Sequence, residues 1–158
     1  MTGRRLDEAV RHFHTALDLN PSFASAAAFV GFTHTFDGRS AQAMERLEQA
    51  LRFSPRDPLK AIFVAGFSQA HYVAGRYQDA VKRAEEALDL RPGLVGAHRM
   101  LCVSLAQAQR IDEATTALRT LRQLQPNLSL AWIRQSLPYA PGPMERFVEG
   151  MRKAGLAE

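Results

Sequence analysis

The sequence predicts an all-α solenoid of paired helices, because three kinds of residue recur along it with a common period. Prolines return at intervals of 34, 37 and 34 residues, at Pro21, Pro55, Pro92 and Pro126. Alanines keep the same intervals, at Ala9, Ala43, Ala80 and Ala114. An apolar residue stands two places before each proline, at Leu19, Phe53, Leu90 and Leu124. A period of this length is typical of stacked helical repeats, which bind other molecules along an extended surface.

Each period is expected to contain two antiparallel helices, which we call A and B. Proline suits the first position of a helix, and the residue before a proline leaves the helical conformation. A second break falls midway through each period, at Asp37-Gly38-Arg39, Ala74-Gly75-Arg76 and Gln109-Arg110. Glycine at this place suits the left-handed conformation that ends a helix. The pattern therefore predicts a helical hairpin in every repeat.

The two ends of the chain depart from this pattern. Leu6 to Leu19 is expected to be a B helix without its A helix, as in a piece of a longer protein. Leu128 to Leu137 begins a further A helix, with Trp132 inside it. We expect a solenoid over residues 5–137, a proline-rich turn over 138–143 and a capping helix over 144–158. Folding of this helix into the groove, or its exchange with a neighbouring copy, are the alternatives to a cap.

The recurring positions resemble the tetratricopeptide repeat (TPR) family, whose pattern runs W-x2-L-G-x2-Y, then alanine, a large apolar residue and proline. The small residue of that pattern corresponds to Gly31, Ser68 and Cys102. The resemblance implies three full repeats with a partial repeat at each end. It also implies that the small residue lets helix A approach the alanine of helix B.

Two segments resemble a narrower group. The three extra residues around 54–59 and the ending from Met144 to Leu156 are similar to the carboxy-terminal TPR region of bacterial class III adenylate or guanylate cyclases. They are also similar to the same region of some winged-helix transcriptional regulators. This resemblance implies a larger signalling protein with an upstream catalytic or DNA-binding domain. The metal-binding and nucleotide-binding residues of a cyclase are not found in this sequence.

Composition argues against several classes of partner. The net charge is +4, but the arginines are scattered, and several follow an acid by one helical turn, as in Asp7–Arg11 and Glu48–Arg52. Such pairs are typical of solvated helix faces and not of a nucleic-acid-binding stripe. No apolar run approaches the roughly 20 residues of a membrane span, and no secretory signal is visible. We therefore expect a cytoplasmic location, with no nucleic-acid or membrane partner.

The sequence does not contain a recognisable catalytic or metal-binding constellation. His34 and His71 occupy the same place in successive repeats, but a metal site needs further ligands, so packing is the favoured interpretation. Cys102 is the only cysteine and takes the small-residue place, where it is expected to act as a small hydrophobe. We predict no catalytic residue, no metal, no cofactor and no enzymatic activity.

The resemblance places the A helices on the concave side of the solenoid. Their outward positions predict a partner-binding groove of Phe32, Phe36, Ile62, Gln69, Tyr72, Val73, Arg99 and Val103. This groove is mostly apolar, so it suits a helix or an apolar peptide better than an acidic chain end. Phe32, Phe36 and Tyr72 are expected to be at least partly exposed. The expected function is a protein–protein interaction scaffold; packing on another domain of the parent protein and homodimer formation remain alternatives.

Overall fold

The structure, a computed structural model, describes residues 2–20 and 23–158, with side chains described from Asp7 onward. Pro21, the first of the recurring prolines, lies outside the described residues. Within this part of the chain, nine helices follow one another and no strand is found. They are α1 (Thr2–Leu19), α2 (Ala24–Phe36), α3 (Ser40–Phe53), α4 (Lys60–Val73), α5 (Tyr77–Leu90), α6 (Val95–Gln107), α7 (Ile111–Leu124), α8 (Leu130–Ser136) and α9 (Pro141–Lys153).

The helices confirm the predicted hairpin repeats. α2 pairs with α3, α4 with α5 and α6 with α7, and these three hairpins are the full repeats. α1 has the place of a B helix, and the short α8 that of an A helix. The A helices α2, α4 and α6 lie side by side and together form one face of the solenoid.

The turns inside the hairpins end the A helices as the sequence predicts. Gly38 and Gly75 have φ angles of 81° and 77°, in the left-handed region that glycine adopts without strain. The third turn has no glycine, and Gln109 takes this conformation with a φ of 64°. In each turn, the next residue donates its N–H to a carbonyl in the last turn of helix A, as Arg39 does to His34 at 2.8 Å.

The contact between helices A and B also follows the prediction. A Cβ atom built on Gly31 would lie 3.1 Å from both the Ala43 carbonyl oxygen and Leu47 Cγ, so the helices touch closely there. In the second repeat, Ser68 Oγ donates a hydrogen bond of 2.7 Å to the Ala80 carbonyl. In the third, Cys102 Sγ lies 3.6 Å from the Ala114 carbonyl. Burial raises the pKa of the Cys102 thiol to about 12, so the thiol is neutral and unreactive.

The last helix begins earlier than the sequence predicts. α9 starts at Pro141 and not at Met144, because proline fits the first turn of a helix, where its missing N–H leaves no bond unmade. The turn before it is correspondingly short. The Ala140 N–H donates to the Phe36 carbonyl at 2.8 Å, which fixes the start of α9 beside the end of α2.

α9 lies across the face that the A helices form. Tyr72 Oη and Gln107 Nε2 each donate to the Arg146 carbonyl at 2.9 Å, and Arg146 Nη2 donates to the Val73 carbonyl at 3.1 Å. Residues after the helix reach the end of the solenoid, since the Leu130 N–H donates to the Ala157 carbonyl at 3.1 Å. α9 therefore packs on the face of the A helices and also contacts α6 of the last full repeat and the short α8. Its role as a cap of the solenoid stays a prediction.

Candidate functional site

The face of the A helices divides into two halves. Its equivalent positions form rows across α2, α4 and α6, because these helices lie side by side. We call the residues against which α9 and the turn before it pack the covered half; they are Phe36, Tyr72, Val73, Val103 and Gln107. We call the other outward residues that keep part of their surface exposed the open half; they are Ser25, Phe32, Ile62, Gln69, Gly96 and Arg99. All six residues of the open half keep part of their surface exposed.

Three residues of the covered half belong to the hydrophobic core, whereas Phe36 and Gln107 keep part of their surface exposed. Tyr72 is 1% exposed, Val73 6% and Val103 0%. The expectation that Tyr72 is partly exposed is therefore wrong, because α9 lies on top of it. The apolar side of α9 is buried in the same contact through Phe147, Val148 and Met151.

Aromatic rings connect the covered half to the chain around α9. Tyr139 lies against Phe36, with ring centroids 5.1 Å apart, and against Phe147 at 5.3 Å. Phe147 in turn meets Tyr72 edge-on at 5.8 Å. Edge-to-face and offset contacts of this kind stabilise beyond the area they bury. Burial raises the pKa of the Tyr72 and Tyr139 hydroxyls well above the ordinary value, so both stay protonated.

A glycine lets α9 approach the A helices closely. A Cβ atom built on Gly150 would lie 2.6 Å from Val103 Cγ2 and 3.2 Å from Tyr72 Oη, so any side chain there would force the helices apart. Gly150 is not among the site residues predicted from the sequence. Its signal is a glycine inside a helix, which lowers helix stability and so often marks a close packing contact.

The open half presents both apolar and polar groups. Phe32 packs beside Phe29, with ring centroids 6.0 Å apart, and approaches the backbone of Gly66 on α4. Ile62 lies on the first turn of α4 and is partly exposed. The buried Gln69 Oε1 accepts no hydrogen bond within the described residues.

Arg99 is the principal charge of the open half. Its Nη1 donates to Gln125 Oε1 at 2.8 Å, and its guanidinium lies over the Trp132 ring, 5.3 Å from the centroid. Burial lowers the pKa of Arg99, but an arginine remains charged at neutral pH. No carboxylate pairs with it in the part of the chain that the structure describes.

The two equivalent histidines, His34 and His71, differ in their hydrogen bonding. His71 Nδ1 lies 3.1 Å from Arg76 Nε, whereas His34 Nδ1 is buried with no hydrogen-bond partner among the described residues. Burial lowers the pKa of both imidazoles, so both are neutral at physiological pH. Over residues 2–20 and 23–158, no group of three or more His, Cys, Asp or Glu side chains is arranged to hold a metal ion.

Among the helices described, none is both long enough and apolar enough to cross a membrane.

Comparison with known structures gives the same fold. The chain is similar to crystal structures of MamA (21% identity, covering 97% of this chain and 88% of that one, TM-score 0.64). It is similar to YrrB, described as a TPR protein with an unusual peptide-binding site (20% identity, 96% and 77%, TM-score 0.58). It is also similar to PilF of Pseudomonas aeruginosa (19% identity, 98% and 71%, TM-score 0.65). At such identities, the likeness establishes the fold alone.

Sequence comparison identifies the repeat itself. No curated protein sequence matches the chain. A family model described as tetratricopeptide repeat matches residues 73–133, which run from the end of α4 through the third hairpin into α8. The hairpin before this segment has the same small-residue contact between its helices. Residues 73–133 therefore match the sequence pattern of the tetratricopeptide repeat family, and the helical-hairpin fold of this segment continues into the hairpin before it.

Proposed function

We propose that the chain is a protein–protein interaction scaffold that binds a helix or an apolar peptide of its partner along the open half of the concave face. The observation that supports this best is α9 itself. It lays Phe147, Val148 and Met151 onto the A helices and leaves all three fully buried. The same face is thus suited to helix-in-groove recognition, and the open half extends it beyond α9.

The open half offers groups for such a partner. Phe32 and Ile62 supply apolar contact, and Arg99 supplies a cation. Four other residues predicted to line the groove are Phe36, Tyr72, Val73 and Val103. They contribute to binding indirectly in this proposal, because they hold α9 in place. The peptide-binding site named for YrrB, a protein of the same fold, is in keeping with this function.

Selection of peptides tests the proposal. Peptides are selected from a random display library against the full chain, and the best is titrated into labelled protein while amide chemical shifts are followed. We expect shifts in α2, α4 and α6 around Phe32, Ile62 and Arg99. Phe32→Ser combined with Ile62→Ser should weaken binding about tenfold or more, since buried apolar anchors carry most of an interface energy. Gln42→Ser, an exposed change on α3, is the control. Peptides that shift only α3, α5 and α7 would overturn the proposal.

A homo-oligomerisation module is the alternative function. It is favoured by exposed apolar side chains that recur along the solenoid, Phe53, Leu90 and Leu124 among them. Sedimentation equilibrium over a wide range of concentrations separates the two functions. A mass that rises from monomer to dimer supports the alternative, and a constant monomer mass excludes it.

We also propose that the chain is the carboxy-terminal module of a larger bacterial signalling protein, such as a nucleotide cyclase, that acts in the cytoplasm. The support is the sequence around 54–59 and the ending from Met144 to Leu156. In this proposal the module binds and does not catalyse. The complete gene provides the test: an upstream cyclase or winged-helix domain is expected, and any other arrangement contradicts the proposal.

A further inference from the structure

The turn between α3 and α4 differs from the other turns between repeats. It spans residues 54–59, whereas the turn between α5 and α6 spans only residues 91–94. The longer turn is well ordered by its own hydrogen bonds. Asp57 Oδ1 accepts the Leu59 N–H at 2.8 Å, and the Asp57 carbonyl accepts the Lys60 N–H at 3.0 Å. This turn contains the extra residues of the 37-residue interval, which the proposed function does not use.

This turn and the end of α5 together line a pocket with a positive charge. Arg56, Lys60 and Arg91 come from the two sides of the pocket, and Leu90 and Pro58 supply apolar surface. None of the three cations forms an ion pair within the described residues. The single carboxylate in the lining, Asp57, already accepts the Leu59 N–H.

Two further features make the pocket suitable for an anion on a larger molecule. The amino terminus of α4 lies at this pocket through Lys60 and Ala61, and the helix has no acid in its first turn. The helix dipole therefore adds to the positive potential. Leu90, beside the cations, leaves 49% of its surface exposed, which favours a ligand that has an apolar group next to its anion.

We infer that this pocket binds an oxyanion, a side-chain carboxylate or a phosphate, on a peptide segment of a partner that also packs an apolar residue on Leu90. Guanidinium groups hold such oxygens in bidentate geometry, and here two arginines and a lysine converge with no acid paired to them. The site is separate from the open half of the concave face. It goes beyond the proposed function, since none of its residues is needed for binding there.

Amide chemical shifts of the full chain at low ionic strength test the inference. Three acetylated and amidated peptides are titrated: SSLEELSS, the same peptide with phosphoserine in place of the first glutamate, and the neutral SSLQQLSS. Saturable shifts at Arg56, Lys60, Ala61 and Arg91 with an acidic peptide, and none with the neutral one, support the site. Tighter binding of the phosphopeptide assigns phosphate; equal or weaker binding assigns carboxylate.

Other outcomes overturn the inference. The absence of saturable shifts at these amides with both acidic peptides does so. A single-stranded oligonucleotide that shifts them while neither peptide does would also overturn it, because the ligand would then be a nucleic acid. Loss of binding with added salt is expected in any case, since exposed charges are screened.

Matched charge variants give the second test. Arg56→Gln, Lys60→Gln and Arg91→Gln together should weaken binding of the acidic peptide about tenfold or more, since each exposed ion pair contributes a factor of about two to five. The control removes the same charge from α5 and α7, with exposed Lys82→Gln, Arg119→Gln and Arg122→Gln. Equal weakening in both variants would show that the peptide responds only to the net charge of the protein, and would overturn the proposed site. Leu90→Ser keeps every charge and should weaken binding of the acidic peptide severalfold. The same variant should bind the peptides selected for the open half with unchanged affinity. Full affinity for the acidic peptide would contradict the apolar contact on Leu90.

Discussion

The covered and open halves of the concave face are built from the same three helices and the same repeat pattern, yet the covered half contains fully buried residues and the open half contains none. Val103 is fully buried in the covered half, whereas Ile62 is partly exposed in the open half. The difference lies in α9, which reaches the first half and not the second. The position of a residue in a repeat thus indicates the face on which it lies. It does not indicate whether that face is free.

The contact between α9 and the covered half combines apolar burial with hydrogen bonds to one backbone group. The Arg146 carbonyl accepts bonds from both Tyr72 and Gln107, and these donors come from neighbouring A helices. Apolar burial contributes most of the stability, because each hydrogen bond replaces one to water. The two halves therefore differ mainly in how closely apolar side chains pack on them.

The largest expected effect comes from emptying the centre of this contact. Phe147 is 1% exposed and touches Tyr72 and Tyr139. Phe147→Ala should lower the free energy of unfolding by about 3–5 kcal/mol, because it removes a buried ring and leaves a cavity. Denaturant unfolding followed by circular dichroism measures it.

The control for Phe147→Ala is on the other side of the same helix. Glu149 is exposed and, among the residues that the structure describes, pairs only with Lys153, at 3.1 Å. Glu149→Ala should change the free energy of unfolding by about 0.5 kcal/mol or less. If the two substitutions lower the free energy of unfolding equally, α9 does not pack on the covered half.

The second effect comes from forcing α9 away from the A helices. Gly150→Val should lower the free energy of unfolding by about 1–3 kcal/mol through overpacking, because its Cβ would lie 2.6 Å from Val103 Cγ2. Hydrogen exchange should then be faster in α9 than in α4. Gly142→Val is the matched control, since a Cβ there has no neighbour within 4 Å. Unchanged exchange in α9 would show that the contact is looser than described.

The sequence was sufficient to predict the hairpins because their determinants are local and repeated. Gly31 and Ala43 meet within one hairpin, and so do Ser68 and Ala80. The two residues of each pair lie a dozen residues apart, and the pair recurs at the repeat interval. The contact can therefore be predicted from the sequence. Even the third turn, where Gln109 replaces glycine, follows from the repeat.

The placement of α9 could not be predicted in this way. The spacing of Phe147, Val148 and Met151 indicates one apolar side of a helix, but both the open end of the solenoid and its groove are apolar. The choice between them depends on Gly150 against Val103 and on Tyr72 against the Arg146 carbonyl. These contacts join residues far apart in the chain and occur once, so no repetition reveals them. As a result, four of the eight predicted groove residues lie in the covered half.

A smaller effect tests the hydrogen bond at this contact. Tyr72→Phe keeps the ring and removes the hydroxyl, which donates to the Arg146 carbonyl and accepts from Gln107 Nε2 at 3.4 Å. The Arg146 carbonyl still accepts from Gln107. The free energy of unfolding should fall by about 0.5–1.5 kcal/mol. Tyr77→Phe is the control, since within the described residues its hydroxyl makes no hydrogen bond. An equal loss in the two variants, read from thermal unfolding, would contradict the role of the Tyr72 hydroxyl.

Alkaline pH extends this test. Burial raises the pKa of Tyr72 and of Tyr139, so the folded chain keeps protons that the unfolded chain releases near pH 10. This stabilisation is fully present below about pH 10 and is lost as the pH rises above it, by about 1.4 kcal/mol per pH unit for each group. The free energy of unfolding of Tyr72→Phe should therefore fall less steeply above pH 10 than that of the unsubstituted chain.

The smallest effect is expected in the open half, where Ile62→Ser should change the free energy of unfolding by about 0.5 kcal/mol, as partly exposed surface positions do. Its counterpart in the covered half is Val103→Ser, which removes buried methyl groups and buries a hydroxyl, and should cost about 2 kcal/mol or more. Both substitutions replace a β-branched apolar residue by serine on an A helix, so helix propensity nearly cancels between them. Denaturant titrations of the two variants measure the difference directly. If Ile62→Ser is as costly as Val103→Ser, the open half is core as well, and a partner would have to bind elsewhere on the solenoid.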